Sequence, residues 1–174
     1  PDGVLLATSD RANGLYVWEA DTARQWLDLR GHNLAVTDVS WRADSNILAS
    51  SSMDGTIKLW EMNEGRNVKS WNAHPGGAMS VEYTHDGQLV TAGRDKTVKT
   101  WSTDGNAVRT FPAFSEPALC STFTHDGKRV LGGDWTGELR LWEAADGAQV
   151  ALLRSNPPTL TMAVEEAQRR RDAA

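Results

Sequence analysis

The sequence predicts an all-β chain folded as a radial propeller of about four blades, each a four-stranded antiparallel meander, in an incomplete ring with a short C-terminal helical tail. Three observations carry that prediction. Trp18, Trp60, Trp101 and Trp142 recur every 41 or 42 residues. Asp2-Gly3, Asp44-Ser45, Asp86-Gly87 and Asp126-Gly127 recur in phase with them, every 40 to 42 residues. Within each period, apolar and polar residues alternate at a spacing of two rather than 3.6, the pattern of short strands.

The elements follow in order. Pro1-Asp2-Gly3 reads as the turn between the first and second strands of a blade, so the first blade is expected to lack its first strand. The second period alternates through Val36–Trp41, Ile47–Ser50 and Thr56–Trp60. Asp-Gly pairs supply the positive φ of tight hairpins, and Gly65, Gly105 and Gly147 punctuate the next connection. A lone meander of this size cannot bury both faces. Successive copies must therefore stack face to face, which gives blades of roughly 40 to 45 residues. Residues 1–155 divide into repeats of about 1–30, 31–72, 73–112 and 113–155, and 156–174 form a linker and helical tail. There Pro157-Pro158 stops the sheet. Glu165 with Arg169 and Glu166 with Arg170 stand four apart in the order that favours a helix. About fifteen strands do not close a ring. The exposed terminal faces call for further blades, from the same chain or from another copy.

Composition narrows the function. With 40% hydrophobic and 24% charged residues, the chain has an ordinary globular balance. A net charge of −5 argues against a phosphate-binding surface, so nucleic acid is not an expected partner. No apolar run approaches the ~20 residues that cross a bilayer, which argues against direct membrane insertion. The first residues lack the features of a signal peptide. Cys120, alone, excludes an intrachain disulfide and leaves the compartment open.

The repeated tryptophans, together with the pair Gly31-His32, make the chain resemble the WD-repeat family over roughly residues 2 to 155. That family carries in each blade a buried set: a His after the outer strand, a Ser or Thr on the second strand, an Asp in the following turn and a Trp on the third strand. The resemblance implies such sets at His32, Ser50, Asp54 and Trp60, and at His74, Thr91, Asp95 and Trp101. The fourth repeat departs from it, with Phe114, Gly132 and Thr136 at the first three positions, so its internal network is expected to be absent. The first repeat keeps Thr8 and Trp18 but has Ala12 at the Asp position. The Ala, Glu and Arg pattern of the tail resembles bacterial multidomain proteins that join such repeats to coils and to cytochrome c-like domains. That likeness implies a cytoplasmic or periplasmic setting, with the periplasm following from the bacterial resemblance.

The buried sets read as structural, because a polar group left unpaired between strands costs about 1–3 kcal/mol. His85 and His125 lie in matching Thr-His-Asp-Gly turns and read as solvated hairpin polarity; a whole repeat between them argues against a metal pair. Trp41 and Trp71 fall on apolar strand positions and are expected in the core. Trp135 precedes the turn position of Thr136, where loops meet the central channel, and is a candidate anchor. The resemblance implies a partner-binding surface on that loop face. Met53, Met79, Arg94, Leu119 and Trp135 are the expected contiguous patch for a protein or peptide partner, since Met, Trp and Arg are enriched in interface cores. No phosphate-binding Gly-rich loop, Gly-x-Ser-x-Gly elbow, His-Glu-x-x-His or Cys-x-x-Cys-His motif occurs. The expectation is a non-catalytic scaffold for protein–protein interaction or complex assembly, with no cofactor or metal. The alternatives are a structural propeller domain or subunit of a bacterial redox assembly, and the propeller part of a hydrolase with catalytic residues elsewhere.

Overall fold

A computed structural model describes residues 1–154, together with Gln168 and Arg171. The alternating segments form strands: β1 (Leu5–Ser9), β2 (Leu15–Glu19), β3 (Gln25–Asp28), β4 (Val36–Trp41), β5 (Ile47–Ser52), β6 (Thr56–Glu61), β7 (Asn67–Asn72), β8 (Ala78–Tyr83), β9 (Leu89–Gly93), β10 (Val98–Trp101), β11 (Ala107–Thr110), β12 (Ala118–Phe123), β13 (Arg129–Asp134), β14 (Glu138–Glu143) and β15 (Gln149–Arg154). They build four antiparallel meanders in chain order: β1-β2-β3, β4-β5-β6-β7, β8-β9-β10-β11 and β12-β13-β14-β15. Apart from Gln168 and Arg171, which are helical, the expected tail over 156–174 lies outside the described residues. No helix among the described residues is long and apolar enough to cross a membrane.

Two irregularities repeat with the period and give the blades their shape. The pairing of each third strand with its outer strand shifts register immediately before the tryptophan, at Trp18, Trp60, Trp101 and Trp142. The first strand of each complete blade is bulged as well, at Thr37, Met79 and Leu119. Such bulges add twist and re-aim a side chain. The turn between second and third strands needs a left-handed residue five positions before each tryptophan. Asn13, Gly55, Lys96 and Gly137 fill it, with φ of 67°, 84°, 69° and 84°. Lysine is the unfavourable choice among them, because its Cβ crowds the following carbonyl.

Stacking of the sheets produces three apolar layers, one between each pair of successive blades. Leu15, Val17 and Leu29 meet Val36, Leu48 and Trp60 in the first. Ala49, Ile57 and Leu59 meet Val81, Leu89 and Trp101 in the second, and Val90, Val98 and Phe111 meet Ala118, Val130 and Trp142 in the third. One residue just after or on the outer strand covers the tryptophan of the next blade. Trp71 lies 5.5 Å from Trp101 and Phe111 lies 5.0 Å from Trp142, centroid to centroid. Trp71 and Trp41, expected in the core, are half-buried instead, packed against the rim of these layers. The outermost faces stay open, with Leu6 on the first blade 56% exposed and Leu153 on the last 44% exposed.

Candidate partner-binding face

The loop face is shaped by turns that the buried polar sets hold in place. In the second blade, Trp60 Nε1–H donates to Ser50 Oγ at 2.8 Å, and Ser50 Oγ lies 2.7 Å from His32 Nε2. His32 Nδ1 lies 3.1 Å from Asp54 Oδ2. A carboxylate only accepts, so Nδ1 carries the ring proton, Nε2 accepts from Ser50, and the set runs in one direction from indole to carboxylate. The third blade repeats it, with Trp101 to Thr91 at 2.8 Å, Thr91 to His74 at 2.7 Å and His74 to Asp95 at 2.8 Å. Burial pushes both imidazoles below their usual pKa, against the pull of the aspartates, which keeps them neutral. Burial alone would raise Asp54. Hydrogen bonds from Thr56, the Asn33 N–H and His32 outweigh it and hold the carboxyl at about 2.

The first and fourth blades solve the same turn differently. Trp18 keeps its bond to Thr8, at 2.8 Å. Trp142 Nε1 is buried without a hydrogen-bond partner, with Phe114 against its ring in the histidine's place. A Cβ on Gly132 would sit 2.7 Å from Val98, so the closely packed layer has no room for a hydroxyl there. In both blades an aspartate two positions earlier secures the turn. Asp10 Oδ1 accepts from the N–H groups of Ala12 and Gly14, and Asp134 Oδ1 accepts from those of Thr136 and Glu138 and from the Thr136 hydroxyl. The sequence reading missed these two residues. Their signal was a shared spacing, since each stands eight positions before its tryptophan.

Around these turns lie the five candidate partner-binding residues. Met53, Arg94 and Trp135 occupy equivalent positions, and their backbone N–H groups donate to the carbonyls of Ala35, Gly77 and Pro117 at 2.9, 2.9 and 3.0 Å. The backbone of each is thus tied to the inner strand of its own blade. Arg94 is exposed, Trp135 is 74% exposed, and Met53 is half-buried. Met79 and Leu119 are the bulge residues of β8 and β12, also half-buried. Gly77 joins two neighbours, because a Cβ there would lie 3.1 Å from Arg94 Cδ and 3.5 Å from Met53 Sδ.

The inner strands are laced together by polar side chains that the sequence reading did not single out. Asp38 accepts from the Val81 N–H of the next blade at 3.1 Å, and Ser40 Oγ accepts from the Tyr83 N–H at 3.0 Å. Thr37 donates to the Ala78 carbonyl at 2.9 Å, and Thr122 donates to Glu82 at 2.9 Å. Burial raises the carboxyls of both Asp38 and Glu82. Their alternation looks in sequence like ordinary strand polarity, because the partner is a full repeat away.

On the opposite end of the strands, the two Thr-His-Asp-Gly turns do not stand apart. Sequence spacing separated His85 from His125, but adjacent blades bring both turns to one cleft of about 360 Å³, lined also by Glu82 and Phe123. Both histidines are exposed. Among the described residues no group of three or more His, Cys, Asp or Glu side chains is placed to hold a metal ion.

Residues 24–61 and 65–102 each match the family model described as WD domain, G-beta repeat. Both stretches are WD40 repeats. Each matched unit starts beside the outer strand of one blade and ends at the third strand of the next, so each contains one whole His, Ser or Thr, Asp and Trp set. Among similar proteins, apoptotic protease-activating factor 1 of Rattus norvegicus is 31% identical over 84% of this chain and 12% of its own length. Angio-associated migratory cell protein of Homo sapiens is 25% identical over 86% of the chain and 34% of its own, and telomerase protein component 1 of Rattus norvegicus is 32% identical over 87% and 6%. The chain therefore spans at most about a third of these relatives. They are eukaryotic, and none lends support to the bacterial resemblance or to the redox and hydrolase alternatives.

Proposed function

We propose that this chain is a non-catalytic WD40 scaffold that binds a protein or peptide partner on its loop face, around Trp135, Arg94, Met53, Met79 and Leu119. The observation that carries the reading is Trp135, an indole left 74% exposed at a turn whose equivalents in neighbouring blades also carry large side chains. A large aromatic side chain in water at the rim of a rigid sheet stack is the kind of group that anchors an interface. The repeat family supports an interaction role, as do relatives named for protease activation and as a telomerase protein component. Each set has the bonding order of a hydroxyl, a histidine and a carboxylate, but Ser50 and Thr91 are fully buried and each already accepts an indole N–H, so their hydroxyls are closed to a substrate. The open faces of the first and last blades are proposed to take further blades, from the same chain or another copy.

Trp135→Ala and Arg94→Ala, compared with the unaltered chain in a pull-down of partners cross-linked at the loop face, test the reading. Both residues are exposed, so neither change should alter thermal stability by more than about 0.5 kcal/mol. Loss of the same cross-linked species in both variants is the expected result. Unchanged recovery removes the face from consideration.

A further inference from the structure

Two separate demands of the first blade's turn meet in one dipeptide. Position 13 lies in the left-handed region, with φ of 67°, and asparagine is among the few residues with a side chain that tolerate it. Position 14 must be glycine for a different reason, because a Cβ there would sit 2.6 Å from both Asp10 Oδ2 and the Tyr16 hydroxyl. The result is Asn13-Gly14, the only Asn-Gly pair in the sequence. The corresponding pairs of the other blades are Gly55-Thr56, Lys96-Thr97 and Gly137-Glu138. None of them combines a side-chain amide with a following residue that lacks a Cβ.

That combination makes an amide chemically insecure. Asparagine is thermolabile because the next backbone nitrogen can reach its side-chain carbonyl carbon, and glycine puts no Cβ in the way. The Gly14 N–H would give its proton to solvent and the nitrogen would attack Asn13 Cγ. A new C–N bond then closes a cyclic imide, the Cγ–Nδ2 bond breaks, and the amide nitrogen takes up a proton and leaves as ammonia. Water opens the imide at either carbonyl, leaving aspartate or isoaspartate. Water is the only co-reactant.

The structure restrains the nucleophile of this reaction. Gly14 N–H donates to Asp10 Oδ1 at 2.7 Å, and Asp10 N–H donates to the Gly14 carbonyl at 3.0 Å, so Gly14 is tied on both sides. A carboxylate that accepts this proton favours the N–H over the amide anion that attack requires, through the bond and through its own charge. Asp10 is held in turn: the Ala12 N–H donates to Oδ1 at 2.8 Å, the Tyr16 hydroxyl donates to Oδ2 at 3.4 Å, and Arg30 Nη2 donates to that hydroxyl at 3.2 Å. Gly14 is buried and Asn13 half-buried, so the reacting atoms are withheld while the turn stays closed.

We propose that Asn13 is a deamidation site gated by Asp10. The closed turn suppresses the reaction, and opening of the first blade's turn releases it. The change is one-way: aspartate places a second carboxylate beside Asp10, and isoaspartate lengthens the backbone by a carbon at the left-handed position. Asn13 thereby keeps a covalent record of how often this turn has opened.

The test incubates the 174-residue chain folded in buffer and unfolded in guanidinium chloride, then digests it with trypsin. Mass spectrometry follows residues 12–24, the peptide between Arg11 and Arg24, for the mass gain of amide-to-acid conversion. The unfolded chain is expected to convert about ten-fold or more faster, since the folded one must first break a hydrogen bond to a charged acceptor. Asp10→Ala should raise the folded rate about ten-fold, and Asp10→Asn, which keeps an acceptor oxygen without its charge, should fall between. Hydrogen exchange across β2 shows whether the first blade remains folded in each variant. Acceleration with β2 still protected supports the gate, and acceleration only where that protection is lost overturns it. A folded chain that converts as fast as the unfolded one, or an Asp10→Ala chain no faster than the unaltered one, overturns the gate as well. No conversion at Asn13 in the unfolded chain overturns the site itself.

Discussion

Ser50 is the sharpest place to perturb the frame that holds this face. Its hydroxyl accepts from Trp60 Nε1 at 2.8 Å and donates to His32 Nε2 at 2.7 Å, and the residue is fully buried. Ser50→Ala introduces no new atoms, but it strands an indole N–H and an imidazole nitrogen in a buried layer. Each stranded group costs about 1–3 kcal/mol, so the variant should lose about 2–6 kcal/mol. That is a large share of the ~5–15 kcal/mol by which a domain is stable. Ser50→Thr restores the hydroxyl, and Thr91 shows that threonine makes the same two bonds in the next blade, at 2.7 and 2.8 Å. It should cost less than about 1 kcal/mol. Equilibrium urea denaturation followed by far-ultraviolet circular dichroism measures both, through the shift in midpoint at constant slope. An alanine variant within about 0.5 kcal/mol of the unaltered chain, or a threonine variant as damaged as the alanine one, would refute the argument that these bonds carry the blade.

Other outcomes follow from the same structure. Because burial lowers the folded-state pKa of His32 and His74 below the ~6.5 of an unfolded histidine, the unfolded chain binds more protons at mildly acid pH; the urea midpoint should be level above about pH 7.5 and decline toward pH 5, and a midpoint that rises on acidification contradicts this. Lys96→Gly places glycine at the left-handed turn position that Gly55 and Gly137 already occupy in neighbouring blades, and should raise stability by about 0.5–1 kcal/mol in the same assay. Asp38→Ala leaves the Val81 N–H without its acceptor across the blade boundary, which should cost about 1–3 kcal/mol and show as faster hydrogen exchange at Val81. Leu6 and Leu153 leave both outer sheet faces open, so the 174-residue chain should sediment above the 19.0 kDa of one copy at micromolar concentration, and Leu6→Asp should return it toward that mass.

What was legible in the sequence was what the repeat makes local. Strand order, the three-stranded form of the first blade and the bonding of the two complete sets all depend on spacings of ten to about twenty residues, which a 41-residue period displays several times over. Trp60 and Ser50 stand ten apart, as do Trp101 and Thr91. The features that escaped depend on contact between repeats. Asp38 looks like any polar residue on a half-exposed strand until its partner is found at Val81. His85 and His125 look distant until two blades are placed side by side. Asp10 and Asp134 were hidden for another reason: they do the work of the family's aspartate from two positions away, so a search at the usual position finds only Ala12 and Thr136. Trp41 and Trp71 were assigned to the core from pattern alone, and period-two alternation tells which face a side chain takes but not how near the rim it lies.

The division between frame and face has a physical root in how each turn uses its residues. At Asp54 and Asp95 the side chain is the structural part, so the residue type is constrained. At the position just before, only the backbone is hydrogen-bonded: the N–H donates to the inner strand and the side chains of Arg94 and Trp135 make no hydrogen bond in the blade. Methionine, arginine and tryptophan therefore occupy equivalent slots without changing the turn beneath them. The bulge at Met79 and Leu119 works in the same sense, because an extra residue in the strand is left out of the ladder and free to vary. A stack of such blades keeps its rigidity in the buried sets and leaves the slots beside them free to vary, which is why Trp135→Ala should weaken the proposed binding without loss of stability while Ser50→Ala should destabilise the blade itself.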